Sequence, residues 1–324
     1  MTRSHVPDRK KLLVILAFAA VYLIWGSTYL AIRFAIDTIP PFLMAGVRFI
    51  IAGLIIYGIA LLQGAGRSIV LREWKSAAII GGCLLLGGNG GVAVAEKYVP
   101  SGLASVMVAT VPIYIALLGW ATGQVPRPRP IIWLGLAGGF AGVAILVGPA
   151  LDLRNAHGAR PEIGMLILLV SSFLWSAGSL YSRVAKSAAS PFLATAQQML
   201  SGGTFLILAG LLTGEAPRVR LHEISYLSLG AFTYLVFVGA IVGYSAFTYL
   251  LRHCEPAKVA TYAYVNPIVA VLLGAAFAGE TLSARSIVAA VLIVGSVALV
   301  ITIEQTRKET LGDPAAGVGC QEVA

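Results

Sequence analysis

Two tryptophan and arginine pairs recur at the same spacing inside apolar stretches of the sequence. Trp25 precedes Arg33 by eight residues, and Trp175 precedes Arg183 by eight. If these stretches are membrane helices with the arginines near the interfaces, eight residues cover about 12 Å and place each indole near the bilayer midplane. An indole at that depth either lines a hydrated cavity, offering its face to an apolar or aromatic ligand, or packs between helices. The pattern favours binding of a small molecule, with packing as the alternative.

Two further polar residues lie within apolar runs. Arg48 is the one charge well inside such a run, and a charge there costs about 2.5 to 3.5 kcal/mol unless it is paired or snorkels. It either binds a substrate carboxylate or, seven residues after Pro41, snorkels to the outer surface. Asn89 lies in "GGNGG" and either forms an interhelical hydrogen bond or contacts substrate. Its counterpart 156 positions later is Ser245.

Tyrosines and prolines of the later apolar runs add candidates. Tyr262 and Asn266 are four residues apart and share a helix face, and among the tyrosines Tyr262 and Tyr244 are the preferred substrate contacts. Pro112 and Pro267 fall near the middle of their runs, where each removes a backbone hydrogen bond and frees a carbonyl. They are candidate hinges, with static kinks as the alternative. A freed carbonyl also suits a substrate ammonium group.

Catalytic, metal and cofactor chemistry find no support in the sequence. The four histidines fall in predicted tails or loops, without a converging carboxylate pair: His5, His157, His222 and His253. The three cysteines are far apart and form no CxxC pair: Cys83, Cys254 and Cys320. No phosphate-binding loop of the G-x-x-x-x-G-K-[ST] type occurs. We therefore expect no enzyme, no metal site and no cofactor.

The composition is that of a polytopic membrane protein. The chain is 58% hydrophobic and 11% charged, with a mean hydropathy of +0.87, whereas soluble domains carry about 25% charged residues. Apolar runs long enough to cross a bilayer recur ten times, and we expect each to be a helix because a helix satisfies its own backbone polar groups. The ten predicted spans are 12–35, 41–62, 76–95, 99–121, 131–150, 163–182, 191–213, 224–251, 259–279 and 286–303.

The basic residues predict the orientation. If the N-terminus is cytoplasmic, most lysines and arginines of the loops fall on the cytoplasmic side, which favours both termini inside a bacterial inner membrane. The net charge of +9 is then a topology signal. Because the basic residues are scattered over short loops, nucleic acid is an unlikely partner. The lipid bilayer and a small-molecule substrate are the expected partners, and nothing in the sequence specifies an oligomeric state.

The chain repeats itself. The offset of 150 that relates the two tryptophans also relates Pro41–Leu43 to Pro191–Leu193. The predicted organisation is a cytoplasmic segment (1–10), a first repeat (11–150), a second repeat (160–304) and a disordered cytoplasmic tail (305–324). Five spans per repeat is an odd number, so the second copy is expected to enter the membrane from the opposite face. Such inverted repeats are typical of alternating-access transporters.

Several segments resemble the EamA-type exporters of the drug/metabolite transporter superfamily. They are "IWGSTYLAIRF", "PPFLMAGVRF", "GNGGVAVAE", "VPSGLASVMVATVP", "YAYVNPIVAVLLG" and "GETLS". The resemblance implies ten helices in two inverted five-helix repeats around a central cavity. It also implies export of amino acids or similar small metabolites, since similar members include exporters of broad specificity and one for aromatic amino acids. The alternative is export of drugs or of sugars and nucleotide sugars.

The acidic residues bear on energy coupling. None lies at the centre of a predicted span; Asp37, Glu96 and Glu280 lie at span ends, where solvation is the ordinary explanation. A facilitative exporter is therefore expected, with proton coupling through Glu96 as the alternative.

Overall fold

The computed structural model describes residues 9–65, 70–99, 101–124, 127–147 and 161–277, together with 284, 287–289, 291–296 and 299. These residues form helices joined by short turns, with no strand among them. The helices are α1 (Arg9–Ala35), α2 (Pro41–Leu62), α3 (Leu71–Ala95), α4 (Ser101–Val108), α5 (Val111–Ala121), α6 (Pro130–Val147), α7 (Pro161–Val184), α8 (Pro191–Leu212), α9 (Tyr226–His253), α10 (Pro256–Val259) and α11 (Tyr262–Phe277).

Six of the described helices are long and apolar enough to cross a membrane: α1, α2, α3, α7, α8 and α9. Shorter apolar helices occupy α5, Pro130–Gly142 within α6, and a partly described stretch at 287–296. The predicted fourth span, 99–121, is not one continuous helix, because it divides into α4 and α5. Much of the predicted tenth span lies outside the described residues.

Proline and glycine set several helix boundaries. Proline is the first residue of α2, α6, α7 and α8, where its missing N–H costs no intrahelical hydrogen bond. Glycines with positive φ follow the ends of α2, α5 and α8: Gly64, Gly123 and Gly214. After α2, for example, Gly64 N donates to the Leu61 carbonyl and Ala65 N to the Ala60 carbonyl, which closes the last turn.

The outer surface of the helices is apolar. Large side chains such as Leu54, Leu166 and Leu208 are about half exposed on long helices. A soluble protein rarely leaves so many apolar side chains in water, whereas hydrocarbon accommodates them without cost. The surface therefore fits a lipid environment, as the composition predicted.

The helices of the two halves pack in corresponding pairs. Helix α2 packs along α8, α3 packs against α7, and α1 packs against α9. In addition, α1 contacts α11, and α7 contacts α4 and α5. Helix α1 begins the first half and α7 begins the second, and each therefore contacts helices of the opposite half. The space between the helix pairs lies at the centre of the molecule.

A π-helical segment interrupts both α3 and α9. The segments are Gly82–Gly90 and Leu235–Tyr244, and segments of this kind are frequent at functional sites. Each presents a glycine to the tryptophan of the other half. A Cβ at Gly88 would lie 2.5 Å from Cε3 of Trp175, and a Cβ at Gly243 would lie 2.7 Å from Nε1 of Trp25. Only glycine lets the indoles lie this close to the two backbones.

Replacement of Gly243 or Gly88 by Ala is expected to destabilise the fold, because the added methyl group must displace a packed indole. Overpacking of this kind costs about 1 to 3 kcal/mol. Thermal unfolding of the purified variants in detergent measures the effect. Gly230→Ala is the matched control on α9, since a Cβ there meets nothing within 4 Å. Equal melting temperatures for Gly243→Ala and Gly230→Ala would contradict the close approach of Trp25.

Candidate functional site

A cavity lies between the two halves, with about 710 Å³ of empty space counting its open mouth. Its wall is formed by residues of α1, α2, α3, α4, α5, α7, α9 and α11. Small-molecule sites commonly combine apolar walls with a few polar groups, as this cavity does. Most of the residues singled out from the sequence line this cavity: Trp25, Arg48, Asn89, Trp175, Tyr244, Tyr262 and Asn266.

One side of the cavity is aromatic. Trp25 and Trp175 meet edge to face with ring centroids 5.4 Å apart. Phe247 lies behind them, 4.9 Å from Trp25 and 5.2 Å from Trp175. Tyr262 adds a fourth ring 4.9 Å from Trp25. The indoles predicted at corresponding positions of the two halves therefore form one continuous surface that suits an apolar or aromatic group.

Arg48 supplies the charge of the cavity. It is 2% exposed, its Nη2 donates to Oδ1 of Asn89, and its guanidinium lies 4.4 Å from the Phe49 ring centroid. No carboxylate of the described residues lies within 4.0 Å of it, and its Nε has no hydrogen-bond partner among them. The snorkelling alternative is wrong, because α2 turns Arg48 toward the interior. Asn89 forms the interhelical bond considered above and also lines the cavity.

The corresponding polar contact in the second half is uncharged. Gln198, which is 150 positions after Arg48, accepts a hydrogen bond of 3.0 Å from the Tyr244 hydroxyl. Tyr244 therefore matches Asn89 at an offset of 155, the offset that also relates Gly88 to Gly243. The offset of 156, which paired Asn89 with Ser245, was therefore one residue too long. Ser245, a candidate substrate contact as the predicted counterpart of Asn89, is not among the residues that line the cavity, whereas the candidate Tyr244 is.

Asn266 connects the cavity wall to two neighbouring carbonyls. With its amide oriented to satisfy both, the nitrogen donates to the carbonyls of Tyr22 at 3.2 Å and Tyr262 at 3.0 Å. The amide thereby links α11 to α1, and its side chain is 2% exposed. Asn266 consequently holds the aromatic wall in position as well as lining it.

The two prolines flank the cavity without lining it. Pro112 is the second residue of α5, directly after the break between α4 and α5, and Pro267 lies inside α11. Carbonyls on either side of the break already accept hydrogen bonds from α7: Ser172 Oγ to Met107 at 3.4 Å and Ser176 Oγ to Val111 at 3.2 Å. These carbonyls have partners without a substrate ammonium group. The hinge roles stay predictions.

Sequence reasoning missed several members of the wall. Tyr29, Phe49 and Ser171 line the cavity, and Phe247 is 1% exposed beneath the indoles. Helical spacing in the sequence could have identified two of these residues, Tyr29 and Ser171. Tyr29 follows Trp25 by four residues and Ser171 precedes Trp175 by four, so each shares a face with a predicted residue.

The acidic residues at the span ends differ from one another. Asp37 is exposed, as expected. Glu96 is 1% exposed, so the expectation that it is solvated at a helix end is wrong. Glu280 lies outside the described residues. Within the part of the chain that the structure describes, no group of three His, Cys, Asp or Glu side chains is placed to hold a metal ion.

Comparison with known proteins identifies the family. The EamA-like transporter family matches residues 12–148 and again residues 162–302. The chain is 40% identical to the Escherichia coli K12 protein named "Uncharacterized inner membrane transporter YedA", over 88% of this chain and 89% of that protein. It is 25% identical to the "Probable amino-acid metabolite efflux pump" of the same strain, over 84% and 89% of the two chains.

A solved crystal structure shares the fold. It superposes with a TM-score of 0.72 at 21% sequence identity, covering 90% of this chain and 97% of that chain. The family match covers most of the chain, and the relatives named above are membrane transporters. The chain therefore belongs to the EamA-like transporter family of the drug/metabolite transporter superfamily.

Proposed function

We propose that this transporter exports amino acids, including apolar and aromatic ones, across the bacterial inner membrane by alternating access. The observation that carries the proposal is a buried guanidinium without an acidic partner, placed in one cavity with an aromatic wall. An amino acid complements both features, since its carboxylate pairs with Arg48 and its side chain packs on Trp25 and Trp175. The printed name of the amino-acid efflux relative supports the same substrate class.

The charge of the cavity argues against the other substrate classes. Of the described residues that line it, Arg48 is the one that carries a charge, so a cationic drug would meet a repulsive charge in a low-dielectric site. A nucleotide sugar carries several phosphate charges and would favour more than one cation. A neutral sugar would leave the guanidinium without a counter-charge. A zwitterionic amino acid supplies one carboxylate for one guanidinium.

The way the cavity is built supports the proposal of alternating access. Each half contributes one tryptophan, and each tryptophan rests on the π-helical segment of the other half. Rocking of one half against the other about this contact would open the cavity to one side of the membrane and then to the other. Two inverted halves with both termini in the cytoplasm provide the required symmetry.

The burial of Glu96 weakens the expectation, drawn from the sequence, that transport is facilitative. That expectation depended on solvated carboxylates at the span ends, and Glu96 is buried instead.

Replacement of Arg48 by Met should abolish the preference for substrates with a carboxylate. Proteoliposomes are supplied with labelled tryptophan, tryptamine, a sugar and a cationic drug, and we expect tryptophan to be preferred by the wild type. Loss of a buried charged hydrogen bond costs about 2 to 5 kcal/mol, so tryptophan uptake should fall at least about thirtyfold relative to tryptamine. Gln198→Met is the control in the other half. An unchanged ratio in Arg48→Met, or no uptake of any amino acid by the wild type, would contradict the proposal.

Replacement of Trp25 or Trp175 by Ala should impair transport of tryptophan and methionine more than transport of small amino acids. Losing about 60 Å² of indole contact at about 25 cal/mol per Å² weakens binding by about 1.5 kcal/mol, somewhat more than tenfold. The measurement is a transport profile across substrates together with the melting temperature. Trp120→Ala is the control, since Trp120 is 45% exposed on α5. Uniform loss across all substrates with a large fall in melting temperature would indicate packing alone.

The proposed orientation is testable at two described loops. In a cysteine-free variant expressed in bacterial spheroplasts, Glu223→Cys should react with a membrane-impermeant maleimide added to the outside. The reason is that the proposed orientation assigns the α8–α9 loop to the outer face of the inner membrane. Arg127→Cys, in the α5–α6 loop, should react only after the membrane is permeabilised. The reverse labelling pattern would place the termini on the other side.

A further inference from the structure

Glu96 is a buried carboxyl group that the proposed substrate site does not use. It directly follows α3, and its backbone N–H donates to the Val92 carbonyl at 3.0 Å. The residue is 1% exposed, and neither carboxylate oxygen has a hydrogen-bond partner among the described residues. A carboxylate in this environment lacks both water and donors, so its charged form is costly.

Glu215 provides an internal comparison. It is also buried, at 3% exposure, and lies after α8 on the side of the membrane that the proposed orientation assigns to Glu96. Its oxygens accept hydrogen bonds from Phe42 N at 3.3 Å and Leu43 N at 3.0 Å, at the start of α2. These N–H groups have no intrahelical partner, and a carboxylate at a helix N-terminus is favoured. The charge of Glu215 is thus stabilised in a way that the charge of Glu96 is not.

Among the described residues, the neighbours of Glu96 bond to its backbone and not to its carboxyl group. Arg33 Nη1 donates to the backbone carbonyl of Glu96 at 2.8 Å, and no cationic nitrogen of the described residues lies within 4.0 Å of the carboxylate oxygens. Arg33 and Tyr29 on α1 act on the carboxyl group electrostatically. Helix α2 contributes Arg48, and α7 contributes Glu162 at its exposed start and Arg183 in its last turn. Lys97, the next residue in the chain, is exposed. The Arg33 charge favours ionisation, and burial opposes it.

Glu96 continues the helix face on which two cavity-lining residues lie. Asn89, Val92 and Glu96 follow one another at intervals of three and four residues and so share one face of the helix. The first two line the cavity, and Glu96 is one turn beyond them. Tyr29, whose hydroxyl interacts electrostatically with Glu96, also lines the cavity. Glu96 is therefore connected to the cavity wall through residues of both α1 and α3.

We propose that Glu96 is the proton-binding site that couples export of substrate to entry of protons, a proposal that rests on the transport function proposed above. A proton binds the carboxylate when the cavity faces the outside and leaves the carboxylic acid when the cavity faces the cytoplasm. Each cycle thus exchanges one proton inward for one substrate molecule outward, and no covalent bond other than O–H forms or breaks. Arg33 holds the backbone at Glu96 through its hydrogen bond to the carbonyl.

Infrared spectroscopy tests proton binding without any substrate. In pH-difference spectra of the purified protein in lipid, the wild type should show a protonated-carboxyl C=O band that is lost as the pH rises. The band should be absent from Glu96→Gln, shifted in Glu96→Asp and retained in Glu215→Gln. Persistence of the whole titrating band in Glu96→Gln would overturn the proposal, whatever the substrate is.

Proton flux tests coupling. Proteoliposomes that contain a pH-sensitive dye receive tryptophan on one side, and the wild type should move protons in the direction opposite to the substrate. Glu96→Gln, which imitates the protonated carboxyl group, should exchange labelled tryptophan across the membrane while tryptophan-evoked proton movement and gradient-driven accumulation are lost. Glu215→Gln should retain both.

The outcomes separate the two proposals. Tryptophan transport by the wild type without proton movement would overturn proton coupling and leave amino acid export standing. Proton coupling would equally be overturned by gradient-driven accumulation in Glu96→Gln. Absence of tryptophan exchange in the wild type, together with the Glu96 infrared band, would overturn amino acid export and support the proton site.

Discussion

The contact between each central tryptophan and a glycine of the other half constrains the rest of the molecule. Trp25 lies on Gly243 and Trp175 lies on Gly88, and the two indoles meet at 5.4 Å. The contact requires glycine at both positions, because any Cβ there would overlap an indole. It also brings α3 and α9 toward the centre, so that Asn89 and Tyr244, the residues after the two glycines, reach the cavity wall.

The two halves build the same frame and differ in charge. At the position where the first half has Arg48 bonded to Asn89, the second has Gln198 bonded to Tyr244. The aromatic contacts are shared between the halves, and the cation belongs to one of them. A cavity that combines the Arg48 cation with an aromatic wall suits a substrate with one anionic end and one apolar end. A buried cation without an acidic partner among the described residues is costly in an empty site, which is in keeping with the proposal that an anion binds there.

The sequence predicted which residues lie together better than it predicted which side chains are buried. The offset of 150 and the distance from each tryptophan to its arginine sufficed to predict that Trp25 and Trp175 lie together at depth. The burial of Arg48 depends on the rotation of α2 about its axis, which a short apolar run does not determine. Ser245 rather than Tyr244 was predicted as the counterpart of Asn89 because the offset between the halves drifts from 150 to 156, and one residue changes the helix face by 100°. Glu96 is at a helix end in sequence, and only the packing of α1 and α7 around that end buries it.

A structure of the protein in lipid with tryptophan bound tests the central claim most directly. The account predicts that the tryptophan carboxylate lies within hydrogen-bond distance of the Arg48 guanidinium, with the substrate indole against Trp25 and Trp175. A tryptophan molecule bound outside this cavity, or bound with its carboxylate turned away from Arg48, would contradict it.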